Sequence, residues 1–434
     1  MELLKSISIT FWSRVLVLFI SLIADIIIAR SLGPTGKGIY SLIILIPSLL
    51  ILVSTLGINI SNIYYIGKKR FKEEDIVSNS LLFGIGIGTL IIVLLVMFLN
   101  YYPNLFFKDI ELKYLKIIIF IVPFLLIQSF FASILLVKGK VLEFNLISIF
   151  RYSFLLLFIS ISLVILKRGV MGALLSWLVA SALSSLFSVW LIKKIIRIRL
   201  SFKGYIFKKT LKFGIKGYIG NVVQFLNYRL DMFLINFLIG VTQVGFYSIA
   251  VVFAEMMWFI PNTIQTILFP KVSSSMKKEA TEITSIICRH TVFLTSVVAI
   301  FSALIAKSLI SIVYTPAYLP SVKPLLILLP GVVALSCSKI LTSYLTGVGF
   351  PSIGTKGSLI ALSANIPLNI LLIPKSGISG AAVATTVSYS LLTLFVLYNF
   401  LQISKVTLRD IIVIKKSDFM FYLGFIKKIH RKIV

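Results

Sequence analysis

Acidic residues and cysteines are scarce in this sequence, and charge of either sign is sparse. The 434 residues include 14 acidic residues, two histidines and two cysteines, and only 13% are charged. Two cysteines are too few for a disulfide framework or a thiolate metal site. Cys288 and Cys337 both fall inside apolar runs, so we expect them to pack as small hydrophobic side chains.

Long polar stretches are also missing, and this excludes an ordinary soluble domain. The chain is 59% hydrophobic with a mean hydropathy of +1.05, and apolar runs of about 20 residues, enough to cross a bilayer, recur throughout. The first run continues past Asp25 without a small-residue cleavage site, which favours a membrane span over a signal peptide. The sequence contains no nucleotide-binding motif. We expect neither an enzyme nor a cofactor nor a metal site.

Basic residues, in contrast, are abundant, and 43 Lys and Arg give a net charge of +29. In a soluble protein such a charge suggests a nucleic-acid partner. Here the basic residues form short clusters between apolar runs, which is typical of the cytoplasmic loops of membrane proteins. We therefore expect membrane lipids as partners and no nucleic acid.

The hydropathy pattern predicts an all-α polytopic membrane protein with about twelve transmembrane helices. With both termini inside, the cytoplasmic segments hold 28 Lys and Arg and the outer segments hold 10, which predicts cytoplasmic termini. The predicted spans are residues 7–29, 38–62, 76–100, 116–137, 143–166, 170–192, 217–238, 245–268, 284–307, 324–346, 358–374 and 380–402.

The chain repeats itself at an offset of 207–208 residues, which indicates duplicated architecture. Residues 29–41, ARSLGPTGKGIYS, match the segment that ends near Ile249, and residues 167–181 match residues 375–389. The repeated glycines stand in predicted outer turns, where we expect them to supply unusual dihedrals and close helix approach. The aligned glycine pairs include Gly33 with Gly240, Gly38 with Gly245, and Gly169 with Gly377.

Each copy of the repeat holds six spans, and an even number of spans gives both copies the same orientation. The repeat therefore predicts two six-helix lobes related by an axis along the membrane normal, with a central cleft suited to alternating access. The predicted segments are an N-terminal lobe at 1–192, a basic cytoplasmic linker at 193–216, a C-terminal lobe at 217–402 and a basic cytoplasmic tail at 403–434. In the tail, Phe419, Tyr422 and Ile426 recur at helical spacing, which suits either a helix on the anionic leaflet or a frayed basic end.

These repeated segments carry a family resemblance. The string ARSLGPTGKGIYS, the string from Asp231 to Ala250 and residues 347–385 resemble the polysaccharide transport family of the MOP flippase superfamily, which includes the Wzx-type flippases. The resemblance implies a flippase of the bacterial inner membrane whose substrate is an undecaprenyl-pyrophosphate-linked oligosaccharide for O-antigen, lipopolysaccharide or capsule. It also implies a polysaccharide polymerase and a chain-length regulator as partners.

Ionisable residues inside the predicted spans are costly to bury and are functional by default. Polar stripes run along the first, second, seventh and eighth spans, which the family architecture places at the central cleft. We predict that arginines hold the pyrophosphate bidentately and that amides receive the sugars. The predicted substrate-binding residues are Arg14, Asn59, Arg151, Asn221, Gln224, Arg229, Arg289 and Lys339.

Three carboxylates, Asp25, Asp231 and Glu255, are the predicted ion-coupling residues, and a proton or sodium ion is the predicted coupling cation. One of the three would alternate between binding the cation and pairing with a cavity arginine, which gives each state a differential interaction. The alternative is a permanent ion pair between helices, for example between Arg14 and Asp25.

Two other functions remain open on the sequence alone. A multidrug exporter of the same superfamily is expected to favour acidic groups for cationic drugs, whereas here five intramembrane cations face three carboxylates. A membrane polysaccharide polymerase or glycosyltransferase typically needs a large outer loop or an acidic catalytic motif, and no predicted outer loop approaches that size.

The orientation can be tested with reporter fusions. Fusions at Lys203 and in the tail should report the cytoplasm, and a fusion near Asp109 should report the outside, because basic loops are retained inside. Paired alkaline phosphatase and fluorescent protein reporters measure both sides. Swapped signals at the three positions would rule out the twelve-span topology.

Overall fold

The computed structural model describes residues 2–101, 110–216 and 218–415, and these residues form helices joined by short turns, with no strand. A helix satisfies its own backbone hydrogen bonds, which is why an apolar chain crosses a bilayer in this form. The helices are α1 (Glu2–Ser54), α2 (Ile58–Gly67), α3 (Glu73–Tyr101), α4 (Leu112–Ile118), α5 (Val122–Val137), α6 (Val141–Ile159), α7 (Gly169–Lys193), α8 (Gly204–Lys216), α9 (Ile219–Ile239), α10 (Val241–Met256), α11 (Phe259–Ser274), α12 (Lys277–Val313), α13 (Val322–Gly347), α14 (Ser352–Ser404) and α15 (Leu408–Ile412).

Helix α1 consists of two membrane spans joined at Gly33. Gly33 has φ 65° and ψ −179°, dihedrals that interrupt a helix, and Pro34 follows it. Asp25 and Lys37 form an ion pair across this break. Twelve residues of straight helix measure about 18 Å, which is beyond the reach of these two side chains. The chain therefore reverses direction at Gly33.

Helix α14 reverses in the same way at Gly377, which has φ 59°. A Cβ atom added to Gly380 would overlap the carbonyl oxygen of Leu372, eight residues earlier. A straight helix separates two such residues by about 12 Å along its axis. The 53 residues of α14 are therefore also two spans.

The number of membrane crossings follows from these two reversals. Within the described ranges, nine helical segments are long and apolar enough to span a membrane, and α1 and α14 each provide two crossings. The pair formed by α10 and α11, bent by 43°, provides one more. The described residues thus make twelve crossings, and the predicted all-α polytopic fold is confirmed.

The repeated glycines have the structural role that the sequence predicts. Gly33 and its aligned partner Gly240 have φ 65° and 94°, and the second aligned pair, Gly169 and Gly377, has φ 60° and 59°. Only glycine adopts these left-handed dihedrals without a steric penalty. The duplication therefore preserved the two turns at which the chain reverses.

The described residues form two compact units by their internal contacts. The first unit contains residues 2–249, 308–321 and 369–381, and the second contains residues 250–307, 322–368 and 382–415. In the first unit α9, the seventh predicted span, packs against α1. The predicted lobe boundaries at 192 and 217 stay a prediction.

Within the first unit the two copies of the repeat contact each other reciprocally. A Cβ atom on Gly38 would overlap the carbonyl oxygen of Val241, and one on Gly245 would overlap the carbonyl oxygen of Pro34. Adding the offset of 207 to Pro34 and Gly38 gives Val241 and Gly245. Reciprocal contacts of this kind are the mark of a two-fold axis. Here the axis relates two segments of one chain.

Helix α5 is the centre of the apolar core in the first unit. It packs against α2, α3 and α7, and its residues Phe130, Phe131 and Ile134 are fully buried. A Cβ atom on Gly88 of α3 would come within 2.8 Å of Pro123, so the absent side chain lets these two helices approach closely.

The predicted linker contains a docked helix. Helix α8 packs on α2 and α3. The backbones of Gly57 and Gly214 are so close that a Cβ atom added to either glycine would overlap the backbone of the other. The Ser61 hydroxyl donates to the Thr210 carbonyl oxygen at 2.6 Å. The basic linker at 193–216 is therefore an ordered part of the first unit.

In the second unit α11 packs against α13, and the two cysteines lie within its interior. Cys288 and Cys337 are buried free thiols with their Sγ atoms 3.4 Å apart, so the expectation that they pack as core side chains is confirmed. Helix α15 follows the last span. The tail residues Phe419, Tyr422 and Ile426 lie outside the described residues.

Replacing Gly38 with alanine should destabilise the protein, because the added methyl group overlaps the Val241 carbonyl group. Overpacking of this kind costs roughly 1–3 kcal/mol. Thermal unfolding of the purified protein in detergent measures the change. Gly86→Ala is the matched control, since no atom lies within 4 Å of a Cβ added there. Equal melting temperatures for the two variants would contradict the close contact.

Candidate functional site

Arg14 lies on the side of the first span that faces away from lipid. The large apolar side chains exposed on this span mark its lipid-facing side, and at 100° per residue each of them lies about 140–180° from Arg14. Arg14 is nevertheless exposed, so its guanidinium faces a space other than the bilayer. The lipid-facing side chains are Trp12, Leu16, Phe19 and Ile23.

Arg151 on α6 also lies on the side of its helix that faces away from lipid. The exposed side chains Leu142 and Leu157 mark the lipid-facing side of α6, and Arg151 lies about 120–180° from them. Its guanidinium carbon stands 4.8 Å from the centre of the Tyr152 ring. Its Nε atom is buried and has no hydrogen-bond partner in the described part of the chain. An arginine with unused donors inside a membrane is a candidate anion-binding group.

The packing of α1 against α6 brings these two arginines to the same depth. The two helices pack against each other, and the Asn145 amide donates to the Thr10 hydroxyl at 3.1 Å. The first span and α6 are the first and the fifth crossings of the chain, so they run in the same direction. Arg14 is then level with residue 149, about 3 Å in height from residue 151. Neither arginine is paired with a carboxylate of the described residues.

Asp25 pairs with Lys37 and not with Arg14, although Arg14 and Asp25 share a helix face. Lys37 is 2% exposed, and its ammonium group donates to Asp25 Oδ1. The Tyr314 hydroxyl donates to Asp25 Oδ2 at 2.9 Å. The Tyr318 hydroxyl donates to the Ala29 carbonyl oxygen at 2.8 Å. This network binds the first span to the segment that follows α12.

Asp231 of the seventh span is held by a tyrosine. The Tyr247 hydroxyl donates to Asp231 Oδ2 at 2.6 Å, and the Met232 amide donates to Oδ1 at 2.8 Å. Asp25 and Asp231 thus occupy similar places in the two copies of the repeat, and each accepts a hydrogen bond from a tyrosine hydroxyl.

The remaining predicted residues of the first unit are distributed along α2 and α9. Asn59 donates to the Ser129 hydroxyl at 2.7 Å, and Gln224 donates to the Tyr228 hydroxyl at 2.9 Å. Asn221 is exposed, and Arg229 is half-buried. The substrate-binding role of these four residues stays a prediction.

The second unit has its own polar cluster, at the break between α10 and α11. Lys339 Nζ donates to Asn262 Oδ1 at 2.7 Å and lies 4.6 Å from the centre of the Trp258 ring. Glu255, one turn before Trp258, acts electrostatically on Lys339. Broken helices place backbone and side-chain polar groups at membrane depth, which is where transporters build their ligand sites.

Arg289 is fixed on a structural contact. Its side chain is buried and donates to the backbone carbonyl oxygen of Asp410 at 2.7 Å. Asp410 lies beyond the last span, and its carboxylate accepts hydrogen bonds from Lys415 and Thr407, which hold the pKa of that carboxyl well below its ordinary value. This geometry ties α12 to α15. A substrate-binding role for Arg289 stays a prediction.

Sequence reasoning missed Lys37 and Tyr314, which complete the Asp25 network. The predicted topology places Lys37 in an outer segment, yet it is one of the most buried side chains among the described residues. The available signal was the Gly33–Pro34 pair, which is typical of a tight turn and brings together residues on either side of it. No comparable signal pointed to Tyr314, which is 289 residues from Asp25.

Solved structures show the fold of this chain. The chain resembles the lipid II flippase MurJ in an inward closed conformation, with a TM-score of 0.76, 20% identity and coverage of 93% of this chain and 90% of MurJ. It also resembles an inward-facing multidrug resistance MATE family transporter of the MOP superfamily, with a TM-score of 0.73, 13% identity and coverage of 89% and 95%. The chain is a multi-pass membrane protein, and it shares its fold with these two transporters.

The sequence also places the chain in a protein family. Residues 27–323 match the model of a family described as polysaccharide biosynthesis protein, and the chain belongs to this family. Its curated relatives include the "Uncharacterized membrane protein MJ1068" of Methanocaldococcus jannaschii, which is 30% identical over 184 residues, 41% of this chain and 36% of that protein. The "Probable flippase AglR" of Haloferax volcanii is 26% identical over 182 residues, 40% of this chain and 38% of AglR. The match thus spans little more than a third of these relatives.

Replacing Lys37 with methionine should destabilise the protein strongly, because the half-buried carboxylate of Asp25 would lose its cation. Removing one partner of a buried ion pair costs roughly 3–5 kcal/mol. Thermal unfolding in detergent measures the loss, and the double variant Asp25→Asn/Lys37→Met should recover most of it.

The control for this prediction is Lys113→Met, which removes an exposed ion pair with Glu111. Exposed pairs contribute little to stability, so this variant should melt like the wild type. The buried network would have to be reassigned if Lys37→Met melted at the same temperature as Lys113→Met.

Proposed function

We propose that this protein is a flippase that moves a polyprenyl-pyrophosphate-linked oligosaccharide from the cytoplasmic to the outer face of the cytoplasmic membrane. One observation carries the proposal. Arg14 and Arg151 lie at the same depth, turn away from lipid and lack a carboxylate partner among the described residues. Membership of a polysaccharide biosynthesis family and the flippase names of relatives support the same substrate class.

The chemistry of a guanidinium group suits a pyrophosphate. Its planar fork of N–H donors matches two phosphate oxygens at once, and it stays charged inside a protein. A pyrophosphate carries several negative charges that must cross the low-dielectric centre of the bilayer, so cations fixed at that depth offset its loss of water. The lipid chain of the substrate stays in the bilayer throughout.

Polar side chains along the same spans would receive the sugar hydroxyl groups. We assign this role to Asn59, Asn221 and Gln224, with Arg229, Arg289 and Lys339 as further cations for phosphate or anionic sugars. The exposure of Asn221 and Gln224 supports their assignment, since both can contact a ligand without rearrangement. Alternating access would expose the cations first to the cytoplasm and then to the outside.

An ion gradient or the membrane potential would drive this cycle. One elementary charge crossing 100 mV supplies about 2.3 kcal/mol. Asp25, Asp231 and Glu255 are the proposed coupling residues, and a proton or sodium ion is the proposed cation. The tyrosine hydrogen bonds to Asp25 and Asp231 support a switch, because protonation of either carboxylate removes the charge that accepts them.

A multidrug exporter is the second candidate, because the chain shares its fold with the MATE transporter. An exporter of cationic drugs would use Glu255 with the aromatic ring of Trp258, which stand together on the eighth span. Lys339 lies 4.6 Å from that ring centre and competes for the same surface, which favours an anionic substrate.

Replacing Arg14 or Arg151 with alanine should abolish the surface glycan while protein level stays normal. Each substitution removes charge-assisted hydrogen bonds to the pyrophosphate, worth roughly 1.5–3 kcal/mol apiece, or at least tenfold in rate. Staining of surface glycan in a strain that depends on this gene measures the effect. Arg168→Ala is the matched control, since Arg168 is exposed beyond the end of the fifth span. Wild-type glycan in both variants would contradict the proposal.

Neutralising the coupling carboxylate should uncouple transport from the gradient. In vesicles with an imposed proton or sodium gradient, at least one of Asp25→Asn, Asp231→Asn and Glu255→Gln should lose gradient stimulation, because its charge no longer changes with cation binding. Glu143→Gln is the control, since Glu143 lies at the cytoplasmic start of α6 beside Lys140. Gradient-stimulated transport at the wild-type rate in all three variants would exclude carboxylate coupling.

A further inference from the structure

A second basic site lies on the first unit, away from the intramembrane arginines. Helix α8, the end of α2 and the turn between α2 and α3 line an open surface pocket of about 650 Å³, which we call the α8 pocket. Three of the side chains that line it are cations and four are aromatic. The residues of the α8 pocket are Tyr65, Arg70, Phe71, Tyr205, Lys209, Lys212 and Phe213.

Two of the three cations of the α8 pocket lie against aromatic rings. The Arg70 guanidinium carbon is 5.6 Å from the centre of the Tyr64 ring, and Lys209 Nζ is 4.4 Å from the centre of the Tyr205 ring. Within the described residues no ion pair involves Arg70, Lys209 or Lys212. The charge of the pocket is therefore not neutralised from within the first unit.

Two of the three acidic residues in the first turn of α3 pair with cations outside the pocket. Glu73 pairs with Lys138 at 3.0 Å, and Glu74 pairs with Arg199 at 3.0 Å. The side chains that line the α8 pocket carry a formal charge of +3. Three like charges around one pocket repel each other, which a bound anion relieves.

The walls of the α8 pocket are held in place by hydrogen bonds and ring packing. The Tyr64 and Phe213 rings stack with their centres 4.3 Å apart. Asn79 accepts a hydrogen bond from the Lys203 amide at 2.7 Å and donates to the Lys203 carbonyl oxygen at 3.1 Å. The pocket is thus formed before any ligand arrives, which lowers the entropic cost of binding.

Helix α8 has the pattern of a helix that lies at a membrane surface. Its side chains Ile206 and Thr210 are buried against the bundle, while Lys208, Lys209 and Lys212 are exposed. The exposed rings of Phe202 and Tyr205 flank the lysines, and aromatic rings of this kind favour the level of lipid headgroups. The ligands within reach of such a pocket are lipid headgroups.

We propose that the α8 pocket binds the phosphate group of a lipid headgroup at the cytoplasmic face of the membrane. Arg70 supplies a bidentate fork for the phosphate oxygens, and Lys209 and Lys212 supply point charges beside it. Two lipids carry this chemistry, an anionic phospholipid of the bilayer and a pyrophosphate-linked carrier lipid. The pocket acts by binding alone, so its test does not depend on the proposed flippase activity.

Native mass spectrometry of the full-length protein in detergent tests the proposal with three probes. The probes are a short-chain phosphatidylglycerol, farnesyl pyrophosphate and inorganic pyrophosphate. The triple variant Arg70→Gln/Lys209→Gln/Lys212→Gln should bind the preferred lipid probe at least tenfold more weakly than the wild type, because it removes three charge-assisted contacts. The single variant Lys212→Gln should weaken it about threefold, which keeps the test informative if the triple variant is unstable.

The matched control is Lys208→Gln/Lys277→Gln/Lys278→Gln, which removes the same charge from exposed positions outside the pocket and should bind within twofold of the wild type. Loss confined to phosphatidylglycerol assigns the pocket to a bilayer phospholipid, and loss for farnesyl pyrophosphate assigns it to a carrier lipid. Wild-type binding by the pocket variants, an equal loss in the control, or preference for inorganic pyrophosphate over both lipids would overturn the proposal.

Discussion

The cost of placing an ionised side chain inside a bilayer governs the organisation of this protein. Lys37 meets that cost with Asp25, Arg289 with the Asp410 carbonyl group, and Lys339 with Asn262. Arg14 and Arg151 differ from these three residues. Both lie on the side of their helix that faces away from lipid, and neither pairs with a carboxylate of the described residues. An intramembrane cation without a carboxylate partner among the described residues is where an anionic ligand is expected.

The duplication supplies the framework for these charges. The two copies meet through a hydrogen bond between the aligned Thr35 and Thr242 hydroxyls, 2.9 Å apart, and through the reciprocal backbone contacts of Gly38 and Gly245. Small residues allow this approach, and side chains of any size would separate the helices. At the opposite end of the second span, the contact of Gly57 with Gly214 docks α8. The polar groups of the first unit thus stand on helices fixed at both ends.

The fold could be predicted from the sequence because a bilayer leaves a chain few options. Apolar runs of span length predicted twelve crossings, and the aligned Gly33 and Gly240 predicted reversals that the structure confirms. The pairing of side chains could not be predicted in the same way. Asp25 shares a helix face with Arg14, yet the reversal at Gly33 brings Lys37 closer, and Tyr314 reaches it from 289 residues away. Such partners depend on tertiary packing, which hydropathy and periodicity do not encode.

The most direct measurement of the central claim compares two substrates in vesicles that contain only this protein. One is a pyrophosphate-linked glycan lipid, and the other carries the same chain and sugars through a neutral ether linkage. Protection of the sugars from an external lectin or glycosidase reports movement across the bilayer. If the arginines recognise the pyrophosphate, the first lipid should move rapidly and the second only at the background rate. Equal rates for the two lipids would contradict the account.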